Sequence, residues 1–135
     1  MSAFVSRSLS IAQEIDLTGL RAKARMQARG RLPAGQMNKT EAKYDAHLAQ
    51  LQHAGEILWR RFEGLKLKLA DNTFLTVDFA LMRADGVLVM TDVKGSPAIY
   101  TDDAKVKMKV AAEMYPFVFM VAFPKRGGGW TEVEV

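Results

Sequence analysis

Asp92 and Lys94 stand two positions apart at the end of an apolar stretch, with Val93 between them. On a β-strand the side chains at i and i+2 point to the same face, so Asp92 and Lys94 share one face. Burying two charges without partners is costly, so this pair is poor material for a protein core. An acid and a lysine placed side by side suit a site that holds a metal ion next to a phosphate group.

Two further carboxylates are candidates for the same site. Glu41 falls on the apolar stripe of a helix that the spacing predicts for residues 38–53. Asp78 is a lone acid in a largely apolar stretch, residues 73–82, which we predict to form one long strand. Glu41 also has capping-box spacing to Asn38, and this local role is an alternative explanation for the residue.

The turn at Asp85-Gly86 decides whether the two aspartates can meet. With a two-residue loop, paired residue numbers would sum to 171, and Asp78 and Asp92 would point to opposite faces. With the three-residue loop Ala84-Asp85-Gly86, the sum becomes 170 and Asp78 lies directly across from Asp92. Three-residue hairpin loops with glycine at a positive φ are common. A shared metal site requires this second register, which we predict.

The donor atoms define the kind of metal. Two aspartates and a glutamate offer only hard oxygen ligands, which suit Mg²⁺ or Mn²⁺ rather than Zn²⁺. The chain has no cysteine, which excludes disulfides, thiolate metal sites and cysteine nucleophiles. Such a metal would activate a bound water and neutralise charge on a phosphate. Lys94 could orient the water or stabilise the developing charge.

The surrounding pattern predicts a small α/β domain with a mixed sheet of about five strands flanked by helices. Alternation of apolar and polar residues indicates strands, and a second helix is expected from Thr101, a capping hydroxyl followed by two acids, to a stop at Pro116. The apolar run before the last turn reads as a central strand, and the C-terminal residues read as an edge strand. The predicted strands are 56–62, 65–69, 73–82, 87–93, 117–123 and 130–135.

Composition and charge separate an N-terminal arm, residues 1–37, from a domain at residues 38–135. The arm carries six basic and two acidic side chains, whereas the remaining residues carry 13 of each sign, so the net charge of +4 belongs to the arm. A basic arm favours a polyanion such as nucleic acid, although a solvated helix at residues 18–29 would also explain it. No apolar run of about 18 residues and no secretory signal is present, which fits a cytoplasmic protein.

Four blocks in order carry a family resemblance: Asn-Lys-Thr-Glu at 38–41, Val-Asp-Phe at 77–79, Asp-Val-Lys-Gly at 92–95 and Asp-Ala-Lys-Val-Lys at 103–107. Together they resemble the PD-(D/E)XK nuclease superfamily. More closely, they look like one phage-encoded endonuclease family that is similar to the junction-resolving endonuclease I of phages. The resemblance covers about residues 37–135. Val77 stands where that family usually has proline, and Asp92 where glutamate is commoner.

The resemblance implies a restriction-endonuclease-like core and a Mg²⁺-dependent DNA endonuclease, with Mn²⁺ able to substitute. The substrate would be branched DNA or Holliday junctions, cut by a homodimer in the host-cell cytoplasm. Glu41, Asp78 and Asp92 would bind the metal, and Lys94 would be catalytic. In related resolvases the partner chain supplies the glutamate, and the sequence leaves both arrangements open for Glu41. The expected DNA contacts are Lys39, Lys107, Arg21 and Arg25.

Two other readings of the sequence compete with the enzyme. The first is a catalytically weak or inactive DNA-binding protein that keeps the nuclease fold, which predicts binding without cleavage. The second is a small interaction protein in which the three acids only satisfy buried partners. That reading predicts three acids that do not converge.

Overall fold

The computed structural model describes residues 32–33 and 35–135, and the chain separates into two units, Met1–Gln36 and Met37–Val135. The predicted helix at 18–29 lies outside the described residues, as do Arg21 and Arg25. The unit from Met37 onward contains every element discussed below.

Two α-helices form in the described part of the chain, each where the sequence supplies a cap. Helix α1, Lys39–His53, begins after Asn38, whose side chain accepts a hydrogen bond from the Glu41 N–H. Helix α2, Asp102–Met114, begins after Thr101, whose hydroxyl accepts from the Ala104 N–H. Both helices and both caps confirm the sequence prediction. Neither described helix has the length and apolar character that crossing a lipid bilayer requires.

Seven strands form two separate sheets in the Met37–Val135 unit. The main sheet has five strands in the order β1-β4-β5-β6-β7. Strands β5 and β6 are parallel and joined through α2, and the other neighbours are antiparallel, so the predicted mixed sheet is confirmed. A two-stranded ribbon, β2–β3, stands apart from it. The strands are β1 Ile57–Phe62, β2 Lys66–Ala70, β3 Thr73–Thr76, β4 Phe79–Arg83, β5 Leu88–Val93, β6 Val118–Pro124 and β7 Trp130–Glu134.

The main sheet is covered on both faces, which explains its apolar strands. Tyr44 and Leu48 of α1 pack on one face, against Phe79 of β4 among others. Met108 of α2 and Leu67 of the ribbon pack on the other face. Because side chains alternate along each strand, the two apolar clusters share the same strands but use opposite parities. The protein is therefore a three-layer α/β unit.

The single strand predicted for residues 73–82 is wrong, because the chain changes sheets at Val77 and Asp78. Strand β3 pairs only with β2, whereas β4 pairs with β1 and β5. The Val93 N–H donates at 2.7 Å to Asp78 Oδ2, so the Asp78 side chain caps the strand pairing there. Asp78 therefore lies at the entry to β4, between the ribbon and the main sheet, rather than within a strand.

The predicted hairpin register is confirmed. Phe79 pairs with Thr91 and Met82 with Leu88, so paired numbers sum to 170. The Arg83 N–H donates to the Val87 carbonyl, which leaves the predicted three residues in the loop. Gly86 closes the loop with φ at +85°. The register that a shared site needs is present, and it places Asp78 across from Asp92.

Gly86→Ala is expected to destabilise the protein by about 1 kcal/mol, because a side chain disfavours the left-handed conformation. No atom lies within 4 Å of the added Cβ, so the cost comes from the backbone alone. Thermal or urea unfolding measures it. Gly95→Ala is the matched control: its φ is outside the left-handed region and its nearest contact would be 3.7 Å. Equal losses in the two variants would contradict the explanation.

Candidate active site

Asp78 and Asp92 form the centre of the candidate site. Asp78 precedes β4 and Asp92 lies near the end of β5, so the hairpin brings their carboxylates together. The two side chains are close enough for the charge of Asp92 to act directly on Asp78. The Asp92 side chain is 13% exposed, so the pair is largely shielded from water yet open to a ligand.

Two carboxylates in one shielded place resist being charged together. Burial, followed by the negative charges of Asp92 and Glu41, together raise the pKa of Asp78 to about 8. The hydrogen bond from the Val93 N–H opposes this shift, because it favours the charged form. At neutral pH the pair therefore shares a proton, which a divalent cation would displace.

Lys94 lies beside Asp92, as the sequence predicts. Its Nζ lies 3.1 Å from Asp92 Oδ2, and its side chain is 26% exposed. The Lys94 N–H donates at 2.9 Å to the Ala122 carbonyl, so β6 fixes the backbone that carries the lysine. The ammonium group is thus held beside the acids, at the edge of the site that faces water.

Glu41 is close to the aspartates but is engaged in its own cap. It is buried, at 8% exposure. Its Oε1 accepts from the Asn38 N–H at 2.9 Å, which completes the capping box. The start of α1 lies against the segment after Lys94, since a Cβ at Gly95 would be 3.9 Å from Thr40 Oγ1. The capping alternative is therefore real, and Glu41 still acts on the Asp78 of its own chain.

Tyr44 holds the start of α1 against the main sheet. It is 1% exposed, one turn after Glu41, and its hydroxyl donates at 2.6 Å to Glu132 of β7. Its ring packs against Phe79 and Trp130. Burial and Glu132 raise the pKa of Tyr44, so it stays a neutral donor. This anchor fixes the first turn of α1 at the end of the sheet that carries the aspartates.

The described residues contain no group of three or more histidine or acidic side chains close enough to hold one metal ion. The donor set still fits Mg²⁺, which proteins commonly hold by one or two carboxylates together with waters and substrate phosphate oxygens. Asp78 and Asp92 supply those two carboxylates. Burial contributes most to the raised pKa of Asp78, and the negative charges of Asp92 and Glu41, which such a cation would neutralise, add to it. The Glu41 carboxylate is engaged in the helix cap, so it does not join the two aspartates as a direct ligand of the metal.

Tyr100 lies near the site, and the sequence analysis missed it. Burial and the charge of Asp92 raise the pKa of Tyr100. Its ring packs against Phe123, and Lys105 Nζ lies 5.5 Å from the ring centroid. The residue falls in a loop whose sequence has no periodicity, so no pattern in the chain could have indicated its position.

The expected DNA contacts lie in different places. Lys39 is exposed in the first turn of α1. Lys107 is exposed on α2, and its Nζ donates at 3.4 Å to the Phe74 carbonyl of the ribbon. Arg21 and Arg25 lie outside the described residues.

The candidate site lies outside the two cavities around Tyr44 and beside Tyr100. One cavity of about 210 Å³ lies under α1 around Tyr44, and another of about 450 Å³ lies beside Tyr100. Neither cavity includes the aspartates or Lys94 among its lining residues.

Comparison of the chain with known protein families, with curated proteins and with solved structures finds no significant match. The function must therefore be argued from the site itself.

Proposed function

We propose that this protein belongs to the class of metal-dependent phosphodiesterases that cleave nucleic acid. Within that class, we propose a DNA endonuclease that acts on branched DNA such as Holliday junctions. The class rests on the site geometry, and the particular substrate rests on the resemblance of the four sequence blocks.

One observation carries the proposal: Asp78 and Asp92 share a site with a lysine ammonium 3.1 Å from Asp92. Two acids in a shielded place repel each other when both are charged. Such a pair therefore does not stabilise the folded protein. Such arrangements occur where function requires them. The aspartates suit a divalent cation, and the lysine suits an anion beside it.

A bound Mg²⁺ or Mn²⁺ would supply Lewis-acid activation of water and charge neutralisation at the phosphate. Asp78 and Asp92 would hold it, and Asp78 would give up its proton on binding. Lys94 would then be free of Asp92 and could donate to a phosphate oxygen, where negative charge grows in the transition state. Glu41 would keep the start of α1 in place through its cap and add negative potential.

The fold and the assembly are part of the proposal. A mixed five-stranded sheet with a helix on each face supports a restriction-endonuclease-like core. The homodimer implied by the resemblance remains a prediction, which light scattering on the purified protein can test. The negative charge of Glu41 acts on Asp78 of the same chain, which supports a site built within one chain.

The substrate test compares four-way junction, flap, duplex and single-stranded DNA in parallel, with Mg²⁺ and with Mn²⁺. We expect cleavage of the junction to be fastest. Lys94→Ala is expected to lower the rate by about 10²- to 10³-fold, the usual effect of removing one group that stabilises transition-state charge. Substrates that all stay intact with the wild-type protein in both metals would refute the enzyme.

A second candidate is a DNA-binding protein that keeps this fold and has little or no activity. The observation in its favour is that the Glu41 carboxylate is engaged in the cap, so two acids rather than three meet at the site. This candidate predicts DNA binding without cleavage and little loss of binding in Asp92→Ala. The same substrate panel, run alongside a binding assay, separates the two candidates.

A further inference from the structure

The β2–β3 ribbon has an outer face that the proposed function has not used. Lys66, Lys68, Phe74 and Thr76 are exposed, whereas the alternate residues of the ribbon turn inward to the apolar cluster under α2. Two lysines with an aromatic ring between them are unusual on the exposed side of a two-stranded ribbon. Exposure to water does not stabilise the apolar ring of phenylalanine.

Phe74 lies at the centre of this face and is 40% exposed. It pairs directly across from Lys68, and Lys66 Nζ lies 4.5 Å from its ring centroid. Lys107 of α2 donates to the Phe74 carbonyl. One acid, Asp71 at the turn, pairs with Lys68 at 3.3 Å, so this part of the ribbon and its surroundings carries three lysines and one aspartate.

The ribbon is directly followed along the chain by the acidic site. Strand β3 ends at Thr76, and Asp78 follows two residues later. Asp78 lies four positions after Phe74, a span of at most about 14 Å for an extended chain. At an axial rise of about 3.4 Å per nucleotide in a stacked strand, this corresponds to at most about four nucleotides.

We propose that the outer face of the β2–β3 ribbon binds a DNA strand with unpaired bases next to the scissile phosphate. Phe74 stacks on one unpaired base, while Lys66 and Lys107 contact neighbouring phosphates. The inference rests on the proposed function and deepens it, because it names the feature that the protein recognises in branched DNA. Aromatic side chains stack on any base, so the contact reads an unpaired structure rather than a sequence.

The test measures binding of the full-length protein in EDTA, where cleavage cannot occur. One labelled duplex carries an unpaired arm of about four nucleotides, and a second is fully paired and blunt. We expect Phe74→Ala to weaken binding of the armed DNA at least fivefold, the lower end of what stacking contributes, and to change blunt-duplex binding less than twofold. Phe74→Trp keeps a stacking surface and should bind like wild type, whereas Phe74→Leu should resemble Phe74→Ala.

Trp59→Ala is the matched control, because Trp59 is an aromatic residue of similar exposure, 38%, that lies on edge strand β1 of the main sheet and not on the ribbon. Full affinity in Phe74→Ala or in Phe74→Leu would overturn the proposal, and so would an equal loss in Trp59→Ala. Lys66→Gln should in addition lower the salt dependence of binding by about 0.7 in log–log slope, the share of one phosphate contact on a single strand. Because the assay needs no catalysis, a protein that binds through Phe74 but does not cleave would refute only the proposed function.

Discussion

Asp92→Asn is expected to lower metal-dependent DNA cleavage by about three orders of magnitude. The variant keeps the size of the side chain but removes the charge that would hold a divalent cation. Metal ions contribute several kcal/mol to transition-state stabilisation, and each 1.36 kcal/mol is a factor of ten in rate. Initial rates on a junction substrate, with titration of Mg²⁺ from micromolar to millimolar concentration, measure the loss.

Asp103→Asn is the matched control, since Asp103 is exposed in the first turn of α2. It makes the same chemical change on the surface and should leave the rate within twofold of wild type. Titration calorimetry with Mg²⁺ provides an independent readout. An Asp92→Asn protein that still cleaves at a tenth of the wild-type rate or faster would show that Asp92 does not hold the metal.

Asp78→Asn is expected to stabilise the metal-free protein while it removes activity. The pKa of Asp78 is raised to about 8 in the folded state, from an ordinary value near 4. Between these values the folded state binds a proton that the unfolded chain has lost, so the free energy of unfolding falls as pH rises. The penalty is fully present above about pH 8. Asparagine carries no charge, and its side-chain oxygen can still accept from the Val93 N–H.

Thermal unfolding in EDTA between pH 4 and pH 9 measures this difference. We expect Asp78→Asn to gain about 1–3 kcal/mol over wild type at pH 9, which is several degrees or more in Tm for a domain of this size, and little at pH 4. Adding Mg²⁺ at pH 9 should raise the Tm of the wild type but not that of the variant. A pH-independent difference between the two proteins would contradict a raised pKa for Asp78.

The hairpin and the helices could be predicted because short-range chemistry determines them. Asn38 and Thr101 are caps that act within one turn, and Gly86 fixes a loop whose length sets the register of two strands. From that register alone, the meeting of Asp78 and Asp92 follows. These features need no knowledge of distant parts of the chain.

The break at Val77 and Asp78 could not be predicted in the same way. Leu75, Val77, Phe79 and Leu81 recur at every second position, so the periodicity of residues 73–82 fits one strand as well as two. The break depends on which neighbours pair with each half, and Asp78 ends the pairing through a backbone group 15 residues away. The position of Tyr100 is likewise set by Phe123 and Asp92, which are distant in the sequence. Tertiary contacts determine these features, and the local sequence pattern does not indicate them.

The ion pair between Lys94 and Asp92 has a consequence for the order of events in the proposed reaction. The Lys94 ammonium lies 3.1 Å from Asp92 Oδ2 and is the counter-ion of that acid. If Asp78 and Asp92 held a divalent cation, Asp92 would no longer need Lys94 as its counter-ion, and the Lys94 ammonium could donate to the substrate. The Lys94 ammonium would thus become available to the substrate only in the metal-bound protein. The resting protein would be protected against binding phosphate groups unproductively.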